Sequence, residues 1–315
     1  MRVDGRPRIV RRPVHGVLLL DKPRGLTSND ALQKARRLLR AEKAGHTGTL
    51  DPLATGLLPL CFGAATKFAQ VSLDADKSYR ATLRLGRTTT TGDAEGEVLQ
   101  VREVALSRAQ LESVCAAFVG AIAQLPPMHS ALKHEGRPLY AYARAGVDVA
   151  RARRDVTIHA IDIVAWHDDV VTLDVRCSKG TYVRTLAEDI GEALGCGAHL
   201  AALRRTGSGG LRVEAARTLD ELAAMDEPAR DALLLPADAL LEDWPAVRLD
   251  ESDAGRFLCG LRRSVDAADA ACVRVYGPAP HARGAFLGSA HIRSRELIPT
   301  RLLSPLEVND LLAAR

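Results

Sequence analysis

Asp51 stands alone as the carboxylate of a run rich in glycine: Gly45-His46-Thr47-Gly48-Thr49-Leu50-Asp51-Pro52-Leu53-Ala54-Thr55-Gly56. Glycine allows positive φ and close backbone approach. Pro52 removes a donor and biases Asp51 away from helical geometry. A loop this costly to order is usually kept for a side chain that has to be displayed. The competing reading is a turn aspartate that hydrogen-bonds its own backbone; the three flanking glycines and His46 at i−5 weigh against it. No second acid follows at the spacing of an aspartyl-phosphate site. The Lys-Ser/Thr ending of a phosphate-binding P-loop is also missing.

Two tyrosines and an arginine stand out in a chain with 4% aromatic residues. Tyr79 opens an alternating segment and is either a core-facing ring or a flat platform for a stacked base. Tyr182 and Arg184 lie two apart on a segment read as extended, hence on one face. There Arg184 can pair with a carboxylate such as Asp51, and Tyr182 can offer its hydroxyl; a plain surface ladder is the alternative. Leu203-Arg204-Arg205-Thr206-Gly207-Ser208-Gly209 is a basic, glycine-rich strand entry suited to phosphate contacts. No Ser-His-Asp order, HExxH, GxGxxG or kinase set is visible. The expected chemistry is that of one aspartate supported by Tyr and Arg, without metal or cofactor.

These residues need elements to hold them. Val14–Leu20 reads as a buried strand ending at the turn Asp21-Lys22-Pro23-Arg24-Gly25. Thr27 or Ser28 can cap a helix to about Lys43, with Leu32, Ala35 and Leu39 on one face. Tyr79–Leu85 alternates as a half-buried strand. Ser107 and Gln110 form a capping box ahead of a helix stopping at Gly120. Val156–Val164 and Val170–Cys177 form a hairpin, Thr185-Leu186-Ala187-Glu188 opens a further helix, and Thr218 another.

Apolar content of 47% in 315 residues describes a globular chain of one large and one small domain, or two comparable ones. No apolar run reaches the roughly 18 residues of a membrane span, and no secretory h-region precedes a cleavage site. A cytoplasmic protein is expected. The six cysteines form no C-x-x-C pair, which argues against structural zinc and disulfides. Residues 1–47 hold 12 Lys/Arg against 4 Asp/Glu, while the remainder is slightly acidic. That asymmetry suits a polyanion partner or a solvated tail. The expected organisation is a flexible basic arm over 1–13 and a catalytic domain over 14–243. Within it, 126–154 is expected as an exposed basic RNA-binding insertion; a β-rich module follows over 245–315.

On these residues the chain resembles the TruB family, the tRNA pseudouridine-55 synthases of bacteria. Gly45–Gly56 looks like its nucleophile motif. Gly16–Gly25, Lys77–Ala81 through Asp93, Cys177–Thr185 and Gly195–Arg205 resemble the other blocks, together spanning roughly 14–210. Residues 245–315 look like a PUA module, through Arg256–Gly260 and Leu297–Leu302. The resemblance implies an α/β (α+β) fold with a mixed, mainly antiparallel sheet and a small β-rich C-terminal PUA-like module. It implies exchange of the uracil attachment from N1 to C5 at one T-loop uridine of tRNA. Asp51 is then the catalytic carboxylate, Tyr79 stacks on the flipped uracil, Tyr182 moves a proton, and Arg184 holds Asp51 and depresses its pKa. Leu203 lines the base pocket and His46 helps to open the T-loop; Lys22, Lys179 and Arg204 complete the expected substrate-binding set. The partner is the tRNA T-arm; no cofactor, membrane or obligate protein partner is expected, and a monomer is. Two other classes stay open: a tRNA-binding folding factor using the same groove without turnover, and a guide-RNA-dependent relative acting on other RNA.

Overall fold

The computed structural model describes residues 10–130, 132–279 and 284–313. Most of the arm expected over 1–13 lies outside them. Its last part is anchored: the Arg12 amide donates to Arg40 O at 2.9 Å, and Arg12 Nη1 reaches Asp231 Oδ2 at 2.8 Å.

Seven strands build the main sheet: β1 (Gly16–Lys22), β2 (Thr55–Phe62), β3 (Lys77–Leu85), β4 (Gly120–Gln124), β5 (Arg154–His167), β6 (Val170–Cys177) and β7 (Ala198–Ser208). Their order is β1-β2-β7-β3-β6-β5-β4, and short strands at Ala44–His46 and Leu211–Arg212 complete a nine-stranded sheet. Within the seven-strand path only β7 and β2 run parallel. The sheet is therefore mixed and mainly antiparallel, as expected. β1 is a continuous Val-Leu-Leu-Leu run because both its faces are covered.

Helix α1 (Ser28–Leu38) starts as the sequence predicts, with Thr27 and Asp30 in a reciprocal capping box. It stops short of Lys43, because Arg40 turns to a φ of 52°. Helix α2 (Val183–Ala193) departs from expectation. Thr185 does not cap it; Tyr182 is the N-cap residue and makes no side-chain cap. Gln124 on β4 replaces that cap, taking the Tyr182 amide on Oε1 at 3.0 Å. Tyr182 and Arg184 thus sit at a helix start, not on an extended ladder.

The segment 126–154 forms a hairpin (Lys133–His134 with Arg137–Pro138) and a short helix, Leu139–Ala143. It is only partly the exposed insertion expected. Arg137 lies over Tyr142 at 5.0 Å and Arg144 over Tyr140 at 5.4 Å, whereas Ser130, Leu139 and Val149 are buried.

Beyond Pro245, a five-stranded sheet (Ala246–Arg248, Arg263–Ser264, Ala270–Gly277, Ala285–Arg293, Glu296–Leu302) carries helices Glu251–Leu258 and Pro305–Ala313. One hydrophobic cluster joins it to the main sheet: Val17, Leu19, Leu57 and Phe68 are continuous with Phe257, Val275, Phe286 and Leu297. The rings of Phe68 and Phe286 approach to 5.3 Å. Each fully buried Leu or Phe there is worth roughly 1.5–3 kcal/mol. At the edge of this region the Tyr276 hydroxyl bonds Asp238 Oδ2, and Arg274 Nη1 stands 3.8 Å from the same oxygen. Burial, then that carboxylate, push the Tyr276 phenol well above its ordinary value.

Candidate active site

The 47–54 loop is stapled on several sides. Ser28 Oγ, at the start of α1, accepts from the Leu50 amide at 2.7 Å and donates to Leu50 O at 3.1 Å. The Gly25 amide donates to Pro52 O at 2.8 Å, while Leu50 and Leu53 are buried. Gly56, at a φ of 98°, must be glycine: a Cβ there would lie 2.3 Å from Arg205 O on β7. With its apolar neighbours turned inward, the loop presents Asp51 to a cleft of about 360 Å³.

Sheet register assembles one wall of this cleft. Tyr79 on β3 lies directly opposite Arg205 on β7, and Ala81 opposite Leu203. With a side-chain period of two, Leu203 and Arg205 share the cleft face and Arg204 points away. Arg204, expected in the substrate-binding set, therefore does not line the cleft. Arg204 turns to the other face, where its guanidinium clasps Asp21 through 2.9 and 2.7 Å bonds. Arg205 is the buried one, donating from Nε to Leu57 O at 2.6 Å and from Nη2 to Gly48 O at 3.3 Å.

Arg184, 6% exposed, ties the floor together. Its Nη2 lies 2.9 Å from Asp51 Oδ2, and its Nη1 lies 3.3 Å from Asp93 Oδ2. The same group donates to Thr91 O (3.2 Å) and His129 O (2.6 Å). A buried guanidinium so placed has its donors satisfied by two acids and two carbonyls. Asp51 keeps 44% of its side-chain surface open to the cleft, yet its neighbours strip enough water to matter. Loss of solvation pushes its carboxyl above the ordinary value; Arg184 pulls it back and Asp93 adds to the rise. The expected depression by Arg184 is thus real as a contribution and reversed in the net, because burial outweighs it.

Burial likewise raises the Tyr79 phenol, opposed by Arg205 beside it, and raises the Tyr182 phenol. Both rings stay protonated at neutral pH. Of the expected residues, Asp51, Tyr79, Tyr182, Arg184 and Leu203 line one cleft. Four others do not line it. Lys22 is fully buried and spends its ammonium on Pro23 O and Leu26 O, at 2.9 and 2.6 Å. Burial lowers its pKa to about 8, and its charge lies near enough to lower that of Asp51. Lys179 stands at the rim, 2.9 Å from Asp74. His46 pairs with Leu60 in the sheet, and burial lowers its pKa. Arg204 faces away, as above. The reading from sequence missed Asp93, Arg205 and Ser130. For Arg205 the signal was present in the strand alternation; for Asp93 and Ser130 no local pattern marked them.

The mixed sheet that carries this arginine-held aspartate has counterparts among solved structures. A Cbf5-Nop10-Gar1 complex superposes with a TM-score of 0.71 at 24% identity, covering 98% of this chain and 92% of that one. An archaeal box H/ACA sRNP Nop10-Cbf5 complex gives 0.67 at 24%, covering 97% and 84%. The fold is that of these Cbf5 proteins. The model of the TruB family pseudouridylate synthase N-terminal domain matches residues 36–183, and that of the tRNA pseudouridylate synthase B C-terminal domain matches 184–242. The chain is 59% identical to tRNA pseudouridine synthase B of Burkholderia lata over 95% of its length and 93% of that protein's. It is 58% identical to the Thiobacillus denitrificans protein of the same name, over 94% and 98%. The chain belongs to the TruB pseudouridylate synthase family. No described helix is long and apolar enough to cross a membrane.

Proposed function

We propose that the protein isomerises uridine 55, in the T-loop of tRNA, to pseudouridine. The observation that carries this reading is the half-open Asp51 carboxylate, gripped by Arg184 on one oxygen and facing the cleft. A uridine inside a folded loop must be extruded before its glycosidic bond can be reached. Stacking on Tyr79 and the apolar Leu203 wall offsets that cost. Cleavage of the C1′–N1 bond builds positive charge on the sugar, which ionised Asp51 stabilises. The freed uracil rejoins C1′ through C5, N1 gains a proton, and the C5 proton leaves. Tyr182, held protonated by burial, is positioned to relay that proton. The exchange is redox-neutral and needs no cofactor. The exposed Arg/Tyr surface of 126–154 and the module over 245–315 serve as tRNA contacts, and the protein acts as a cytoplasmic monomer without an obligate protein partner.

The test is to incubate the purified protein with unmodified tRNA and map pseudouridine. The expected result is a single new pseudouridine at position 55, formed equally well in EDTA. No product would overturn the activity, and product in another loop would overturn the position.

A further inference from the structure

Ser130 lies on the segment 126–154 and lines the cleft together with Tyr79, Tyr182 and Leu203. It is 4% exposed. Its Oγ makes no hydrogen bond with any described residue. The Tyr182 phenol is near enough for the hydroxyl to temper its rise in pKa, but not in a geometry that completes a bond. Buried polar groups are nearly always paired, so an orphan calls for a cause. The backbone around it is pinned: the Ser130 amide donates to Met128 O at 2.9 Å, and Ser130 O accepts from Tyr140 at 3.1 Å. Only rotation of the hydroxyl remains.

We propose that Ser130 contacts substrate, hydrogen-bonding the ribose 2′-hydroxyl of the nucleotide drawn into the cleft; this rests on the reading given above. The preceding residue fixes the location. His129 O shares Arg184 Nη2 with Asp51 Oδ2, at 2.6 and 2.9 Å, so the segment is one guanidinium away from the reacting carboxylate. The atom that must reach Asp51 is C1′, and the 2′-hydroxyl is borne by the neighbouring carbon. With the base against Tyr79 and Leu203, the sugar is the part that meets Ser130. A serine hydroxyl both donates and accepts, as does a 2′-hydroxyl, and that hydroxyl is what separates RNA from DNA at a contact.

The experiment is a binding cycle in an Asp51→Asn background, which removes turnover. Two T-arm hairpins are compared, one with the target uridine and one with 2′-deoxyuridine in its place. Adding Ser130→Ala is expected to weaken the ribose hairpin about five-fold, the worth of one hydrogen bond, and to leave the deoxy hairpin unchanged. The thermal midpoint of the free Ser130→Ala protein should not fall, since a buried hydroxyl without a partner is removed. Equal weakening of both hairpins would assign the hydroxyl to another group and overturn the proposal. No weakening, or a lower midpoint accompanying it, would do the same. Pseudouridine formation by the wild-type protein on the hairpin is measured alongside. If it proceeds while the cycle shows no coupling, only the Ser130 assignment fails; if it is absent, the catalytic reading fails and the cycle still reports on Ser130.

Discussion

Aspartate, arginine and tyrosine come together at two places among the described residues, and the two meetings differ in what is left over. Beside the C-terminal sheet, Asp238 takes the Tyr276 hydroxyl and faces Arg274, with 12% of its side chain exposed. In the cleft, Asp51 is held by Arg184 alone and keeps 44% of its side chain open. Burial raises Tyr276 as it raises Tyr79 and Tyr182, so a shifted phenol does not separate the two. Both border open space, cavities of about 420 and 360 Å³; what separates them is how much of the carboxylate reaches it, 12% at Asp238 against 44% at Asp51. In the first trio the carboxylate is engaged by the tyrosine itself; in the second it is held from behind and left half open, which is the condition of a site awaiting substrate.

The largest effect that would break this comparison comes from paired substitutions. Asp51→Asn should abolish turnover with tRNA affinity nearly unchanged. Asp238→Asn should leave turnover close to wild type and lower the thermal midpoint by a few degrees, from roughly 1–3 kcal/mol of lost buried bonding. Product formation, filter binding and calorimetry on both variants decide it; turnover surviving Asp51→Asn would remove Asp51 from the chemistry.

Next in size is a pair of opposite pH shifts. The acid limb of the rate profile reports the Asp51 carboxyl, which must be ionised. Arg184 lowers that pKa and Asp93 raises it. Arg184→Lys loses the planar guanidinium, so the limb should move to higher pH and the rate should fall more than stability does. Asp93→Asn removes a neighbouring negative charge, so the limb should move to lower pH. Shifts of the same sign in both variants would contradict the three-member arrangement. A smaller effect concerns the wall: Tyr79→Ala should lose roughly 1–3 kcal/mol of stacking and Tyr79→Phe little of it, read from single-turnover rates. Smallest of all is Arg204→Ala. Its partly exposed pair with Asp21 is worth about 0–1 kcal/mol, and activity should stay near wild type.

Local signals in the chain were reliable where the physics is local. The helix starts at Thr27, Ser107 and Thr218 and the alternation of Tyr79–Leu85 appear as expected. The display of Asp51 was legible because its loop carries Gly48 and Gly56 at positive φ and Pro52 at a turn position. Failures came where a distant group decides. The start of α2 is set by Gln124, 58 residues away from Tyr182, so the plausible box at Thr185 lost to it. Lys22 reads as a surface cation until its carbonyl partners are seen. The direction of the Asp51 shift depends on how much water the fold removes, a quantity no motif carries. Arg204 and Arg205 differ by strand parity: Arg205 shares the cleft face with Leu203, and Arg204 takes the opposite one.

The hydrophobic cluster shared by the two sheets has a consequence for the order in which the chain becomes a protein. Val17 and Leu19, on the first strand, belong to a cluster that continues through Phe68, Val213 and Leu241 to Phe257, Val275 and Phe286. Contacts of such sequence separation form slowly, because a long loop must close first. On a ribosome this strand emerges early and waits for residues 213–241 before its packing is complete. During that interval a Val-Leu-Leu-Leu edge stands bare to solvent and to neighbouring chains, which makes the closing segment the step that protects the newborn protein from aggregation.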